Sequence, residues 1–227
     1  MVNAAGEAGA DLIVCPEMAT SGYLWSSPEA IDPHAEPSTG ATFQALSAVA
    51  RKHHAWVVCG FPERVLPPGS QSPTHHVVAL FNSAMVISPE GSRVATYRKV
   101  LLYPADTVWA NPGWQRTIFP TAFGRVVPAI CMDINDPRFI SFVHQTQPEF
   151  IALCTNWIEE GEEIHDYWRS QLQGWKGWLI AANGWGPDGN IELCGQSAIM
   201  SPTGEVVAAA APLGNEVVMF DIGPVIF

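Results

Sequence analysis

Apolar and polar positions change over in short blocks along this chain. Residues 12–15 form a wholly apolar run that Pro16 ends, which predicts a strand buried on both faces. Residues 28–40, rich in Pro, Ser and acids, predict a loop. From Ala41 the side chains Phe43, Leu46, Val49 and Ala50 recur at helical spacing, and residues 55–61 predict a second buried strand. Residues 76–87 and 93–99 flank Ser88-Pro89-Glu90-Gly91, whose glycine can take a positive φ, so they are expected to pair as a hairpin. Residues 101–115 carry little periodicity and predict a loop.

Residues 125–131 are strand-like, and Asn135-Asp136-Pro137 predicts a helix start, a capping side chain followed by Pro in the first turn. Residues 150–154 predict another buried strand. A helix with Tyr167, Trp168, Leu172 and Trp175 on its buried side is expected next, then a strand from Leu179. Residues 197–200 and 205–209 predict a second hairpin around Ser201-Pro202-Thr203-Gly204, and residues 217–221 close the chain. The stretch 83–91 repeats in 197–204 with one residue less. Either two ordinary hairpins share turn chemistry, or the chain holds two similar α/β halves, each supplying a sheet that helices cover from outside. No linker or charge run separates them, so residues 1–227 predict a single domain.

Composition narrows the function. Hydrophobic residues are 48% of 227, which excludes wholesale disorder. Charged residues are 15%, against about 25% in an average globular chain, so much of the surface is expected to be hidden in a wide core or a homo-oligomer interface. Acids outnumber bases 22 to 11, a formal charge of −11, which argues against a nucleic-acid partner. The absence of a basic cluster argues against an anionic membrane surface. No apolar run reaches the roughly 18–20 residues of a membrane helix, and residues 1–10 lack the features of a signal peptide. The five cysteines are odd in number and show no CxxC spacing, so neither a disulfide framework nor a zinc site is expected. A soluble protein in the reducing cytoplasm fits these features. His53-His54 and His75-His76 do not predict a metal site, because neighbours on a strand face opposite ways and no HExxH is present. His165-Asp166, following the acids of 159–163, predicts a solvated loop or helix start.

Three residues carry candidate chemistry. Cys131 stands where a strand gives way to a turn and a capped helix; unpaired N–H groups there favour a thiolate and could face an oxyanion. The residues alone leave open that it is a small buried hydrophobe, the reading given to Cys15, Cys59 and Cys154 within apolar runs. Glu17 directly follows a buried strand, where apolar neighbours would raise its pKa and make it a base near neutral pH; a solvated loop carboxylate is the competing and locally favoured reading. Lys99 ends a hairpin strand, ordinarily a solvated position. Separations of 82 and 32 residues are too long for local geometry to bring the three together.

The segments carrying them resemble, in order, the three signature blocks of the nitrilase superfamily of carbon–nitrogen hydrolases. They are Ala10-Asp11-Leu12-Ile13-Val14-Cys15-Pro16-Glu17-Met18 with Gly22-Tyr23, then Tyr97-Arg98-Lys99-Val100, then Ile130-Cys131-Met132-Asp133. Supporting matches are Phe81-Asn82-Ser83-Ala84 through Gly91, Ala182-Asn183-Gly184, Gly195-Gln196-Ser197-Ala198 and Phe220-Asp221-Ile222, so the resemblance covers nearly the whole chain. It implies an α-β-β-α four-layer sandwich and a Glu–Lys–Cys site: Glu17 as base, Cys131 as nucleophile on an amide or nitrile carbon, Lys99 and the Met132 backbone N–H facing the oxyanion, and a thioester that water hydrolyses. No metal or organic cofactor is implied.

The chain departs from the family pattern in two ways. The second glutamate that many members carry after the lysine is missing from residues 101–113, where Asp106 is the only carboxylate and the possible accessory acid. The family's first strand has no counterpart, which is expected to leave a sheet edge unpaired and a groove in the core, and the dimer-crossing C-terminal tail is also short. Met132-Asp133 is closer to amidase-like branches than to true nitrilases. Cys-Met-Asp-Ile-Asn, with Leu102-Tyr103 and Asp106 through Trp109, is similar to amidases acting on protein N-terminal Asn or Gln. Asn156 and Trp157 are the substrate-binding candidates, with a packing role the competing reading for Trp157. Acyl transfer through the same triad and a non-catalytic remnant of the fold stand as alternatives to amide hydrolysis.

Overall fold

The computed structural model describes residues 1–65, 79–161 and 163–223. Residues 76–78, part of the first expected hairpin, and the His75-His76 pair lie outside them.

The first half folds as one sheet. β1 (Leu12–Val14) pairs in parallel with β2 (Trp56–Val65), which pairs antiparallel with β3 (Ala79–Ile87), and β3 with β4 (Arg93–Arg98). The second sheet starts with β5 (Phe119–Thr121) and β6 (Gly124–Ile130), followed by β7 (Phe150–Thr155) and β8 (Trp178–Asn183) in parallel. A separate hairpin of β9 (Trp185–Asp188) and β10 (Ile191–Cys194) precedes β11 (Ala198–Met200) and β12 (Val206–Ala209), and the sheet order is β12-β11-β8-β7-β6-β5.

The run β1-β2-β3-β4 and the run β7-β8-β11-β12 have the same pairing senses: parallel, antiparallel, antiparallel. Their hairpins also close alike, Gly91 N–H to the Ser88 carbonyl at 2.8 Å and Gly204 N–H to the Ser201 carbonyl at 2.9 Å, with φ of +75° and +81°. The sequence echo therefore marks two similar halves. In the second half β6 pairs with the outer side of β7; at the matching place beside β1 there is a groove of about 1030 Å³, and β1 pairs with β2 alone among the described residues.

Helices lie on both outer faces. α1 (Val2–Glu7) and, after the short α2 (Pro28–Ile31), α3 (Ala41–His53) cover the first sheet, with Ala5 and Ala50 against Val57 and Met85. α2 corrects the loop expected over 28–40: the Ser27 hydroxyl caps it and Pro28 starts it. α4 (Pro137–Thr146) and α5 (Ile164–Gln171) cover the second sheet through Phe139, Val143 and Trp168. The Asp136 side chain accepts the Arg138 N–H to cap α4, as its sequence predicts. Between the sheets, Val58, Ala84, Val86 and Tyr97 meet Val126, Ile130 and Ala152. The result is the four-layer α-β-β-α sandwich. Among the described residues no helix is long and apolar enough to cross a membrane.

Candidate active site

Chain ends of four strands converge at one place between the sheets. Glu17 lies three residues past β1, Lys99 one past β4 and Cys131 one past β6, while Thr155 ends β7 and Asn156 follows. Topology thus closes the long sequence separations. All three sequence-predicted chemical groups are buried, Glu17 and Lys99 at 1% exposure and Cys131 at 5%, which decides against the solvated readings of the first two.

Lys99 Nζ donates to Glu17 Oε1 at 2.7 Å and to Asp106 Oδ2 at 2.5 Å. Asn82 Nδ2 bridges the same two carboxylates, at 2.7 Å to Glu17 and 3.1 Å to Asp106. The Asn156 backbone N–H holds Glu17 Oε2 at 3.0 Å, and its side-chain amide holds the Glu17 carbonyl at 2.7 Å. Asn156, expected on the substrate side, thus uses its amide to fix the loop of Glu17. Asp106 also accepts the Tyr103 N–H at 2.9 Å and is itself fully buried at the start of a 3-10 turn within the segment expected to be loop. Burial raises the Glu17 pKa; Lys99 opposes that shift and Asp106 adds to it. Burial also works against the charge on Lys99, but Glu17 and Asp106 hold its pKa well above the ordinary lysine value. The Tyr23 ring closes one side, 5.8 Å from the ammonium.

Cys131 has a φ of +42°, an uncommon conformation for a side-chain-bearing residue, at a sharp turn from β6 into the 3-10 helix Cys131–Asn135. Burial first, then the charge of Glu17, pushes its thiol up to about 12, with Lys99 and Thr155 pulling the other way. The turn predicts a thiolate; burial outweighs it and holds the thiol well above its ordinary value. The Met132 N–H lies in the first turn, where amides have no acceptor within the helix.

Asp133 holds this turn. It accepts the Ile130 N–H at 3.0 Å, the Tyr97 hydroxyl at 2.6 Å, and the Val100 and Leu101 N–H groups at 3.0 and 3.1 Å. Arg116 adds a contact at 3.2 Å. The carboxylate thereby ties the residues after Lys99, in one sheet, to the Cys131 turn in the other. In the sequence Asp133 stands within the third signature block with no task of its own, and only its adjacency to Cys131 signals it. Asn82 stands in the sequence only within a supporting match and Thr155 carries no signal, because each reaches the site by strand register. Trp157 is half-buried, its ring 5.1 Å from Tyr167 and edge-on to Trp168 at 6.3 Å, and with Glu159, Glu160 and Ile164 it walls a narrow cavity. It both packs and lines a cavity.

Residues 1–224 match the carbon-nitrogen hydrolase family, and the chain belongs to that family. It is 28% identical to a probable nitrilase of Schizosaccharomyces pombe over 202 residues, 88% of this chain and 70% of that one. It is 26% identical to the protein N-terminal amidase of the same yeast, over 83% of this chain and 78% of the relative. Among solved structures it superimposes on an amidase from Nesterenkonia sp. AN1 with a TM-score of 0.77 at 20% identity, covering 93% of this chain and 79% of that one. A mutant of that amidase carries acrylamide added at its active-site cysteine.

Proposed function

We propose that the protein is a cysteine-dependent amidase that converts an amide to a carboxylate plus ammonia or an amine through a thioester on Cys131. The observation that carries this reading is the buried Glu17–Lys99–Asp106 group beside a buried thiol on a strained turn.

In this reading Glu17 takes the S–H proton as sulfur attacks the amide carbon. Negative charge gathers on the amide oxygen, facing the Lys99 ammonium and the Met132 N–H. Glu17 gives the proton to the departing nitrogen, the C–N bond breaks, and a thioester remains. A water gives a proton to Glu17 as its oxygen attacks the thioester carbon, the C–S bond then breaks, and the sulfur takes that proton back from Glu17 as the acid leaves and ionises. Lys99 is held charged between two carboxylates, which suits a fixed electrostatic role and not that of a base. Asp106 stands in for the second glutamate of many family members by anchoring Lys99. Asn156 and Asn82 position Glu17, and Trp157 walls the substrate end. No cofactor or metal takes part.

Amide is favoured over nitrile as substrate by Met132-Asp133 after the nucleophile and by relatives that include protein N-terminal amidases of two yeasts. A reducing, cytoplasmic setting suits the five free, buried cysteines, and a homo-oligomer suits the low charge content. The test is ammonia release from a panel of primary amides and matching nitriles, with Cys131→Ala in parallel. Ammonia and carboxylate in equal amounts from an amide, lost in the variant, support the reading. Turnover that persists in Cys131→Ala, or that occurs with nitriles alone, contradicts it.

A further inference from the structure

Thr155 is the last residue of β7 and is fully buried. Its hydroxyl has no hydrogen-bond partner of good geometry among the described residues. An unsatisfied buried hydroxyl destabilises a fold, and one that persists calls for an explanation in the chemistry around it. Strand register supplies one. β6 and β7 run parallel with Ile130 opposite Cys154, so one step further along the same register Thr155 stands beside Cys131. The following residue, Asn156, gives its N–H to Glu17, so the end of β7 reaches both the nucleophile and its base.

We propose that Thr155 is a further catalytic residue, whose hydroxyl donates a hydrogen bond to the Cys131 sulfur as the sulfur becomes anionic. The inference rests on the thioester reading given above. The S–H bond breaks, the proton passes to a Glu17 oxygen, and the threonine keeps its own proton while its O–H turns toward the sulfur. The same bond forms again when the sulfur is expelled from the second tetrahedral intermediate. A donor that is poorly aligned in the resting state and bonds more strongly as charge develops favours the reacting state over the ground state. Against burial and the Glu17 charge, which hold the thiol up, Lys99 and then the Thr155 hydroxyl favour the charged sulfur. The other titratable groups in electrostatic reach of the thiol are Glu17 after β1, Lys99 after β4, Asp106 from its 3-10 turn, and Tyr23 and Tyr103 from their loops. Of these only Lys99 is cationic, and its ammonium is already bonded to two carboxylates.

The test uses the full chain with Thr155→Val, which keeps the shape and removes the hydroxyl, Thr155→Ser, which keeps the hydroxyl, and Cys131→Ala. The rate of iodoacetamide addition is followed by intact mass from pH 6 to 9, with thermal melting alongside. Thr155→Val is expected to react about 10–100-fold more slowly at every pH in that range, with an unchanged or higher melting temperature because an unpaired polar group is gone. Thr155→Ser is expected to restore most of the rate. A Thr155→Val rate within twofold of the native chain overturns the proposal, as does a Thr155→Ser rate as low as that of Thr155→Val. Should Thr155→Val fail to fold, Thr155→Ala against Thr155→Ser makes the same comparison under the same criterion. If Cys131→Ala gains the adduct as fast as the native chain, it is the Cys131 reading that fails, and Thr155 is withdrawn with it.

Discussion

At the scale of single residues, the site runs on charges that burial would forbid in isolation. Glu17 and Lys99 are removed from water together with Asp106, and each carboxylate is bonded to the same ammonium. A base acts only when ionised, and burial and the Asp106 charge raise Glu17. The acid limb of kcat/KM is therefore expected above the ordinary carboxylate range. Asp106→Asn removes a charge that raises Glu17, so it is expected to move that limb to lower pH while lowering the rate through a less firmly held Lys99. A limb that stays in place or moves up, in pH–rate profiles of the two proteins, contradicts this coupling. Glu17→Gln is expected to lower kcat/KM by about 10²–10⁴-fold. None of this burial was legible locally. A glutamate after Pro16 and a lysine after Arg98 look solvated in sequence, and only the ordered blocks of the family resemblance brought them together.

At the scale of elements, two devices set the distance between the sheets' contributions. Asp133 bolts the segment after β4 to the turn after β6. Asp133→Ala leaves the Tyr97 hydroxyl and three N–H groups without that acceptor, while Arg116 keeps Asp136, and is expected to cost about 3–5 kcal/mol in urea unfolding. Gly60, in β2, lies against the loop of Glu17. A Cβ there would stand 2.4 Å from the Pro16 oxygen, 2.6 Å from Glu17 Cα and 2.7 Å from the Met18 nitrogen, all backbone atoms. Gly60→Ala is therefore expected to displace Glu17 and, on the proposed mechanism, lower kcat by about a hundredfold, with KM changing much less. An unchanged kcat in a folded Gly60→Ala protein would show that the loop can yield without harm.

The elements that sequence patterns found are those with long apolar periodicity, such as α3, β2 and β7. Those missed have identifiable reasons. Pro120 argues against a strand at 119–121, yet β5 is the edge strand of its sheet, where a proline is tolerated. The β9–β10 hairpin turns at Gly189-Asn190, a two-residue signal that was present but masked by Gly186 and Pro187 nearby.

At the scale of the molecule, the chain is two copies of one strand pattern facing each other, with the site at the seam. Exposed apolar side chains gather around the groove beside β1: Met1, Trp185, Val217, Met219 and Phe220. With only 15% charged residues, a surface of this kind is expected to be covered by self-association. Sedimentation at micromolar concentration is expected to give a species heavier than 24.6 kDa, and a clean monomer would contradict the homo-oligomer.

The thioester on Cys131 is the claim on which the rest depends. It is tested most directly by intact mass spectrometry after brief exposure to simple amides, with Cys131→Ala alongside. The account predicts an added acyl mass on the native chain, smaller than the amide by one ammonia and absent from the variant. A folded native chain that turns an amide over without ever carrying that mass, or a variant that carries it equally, would contradict it.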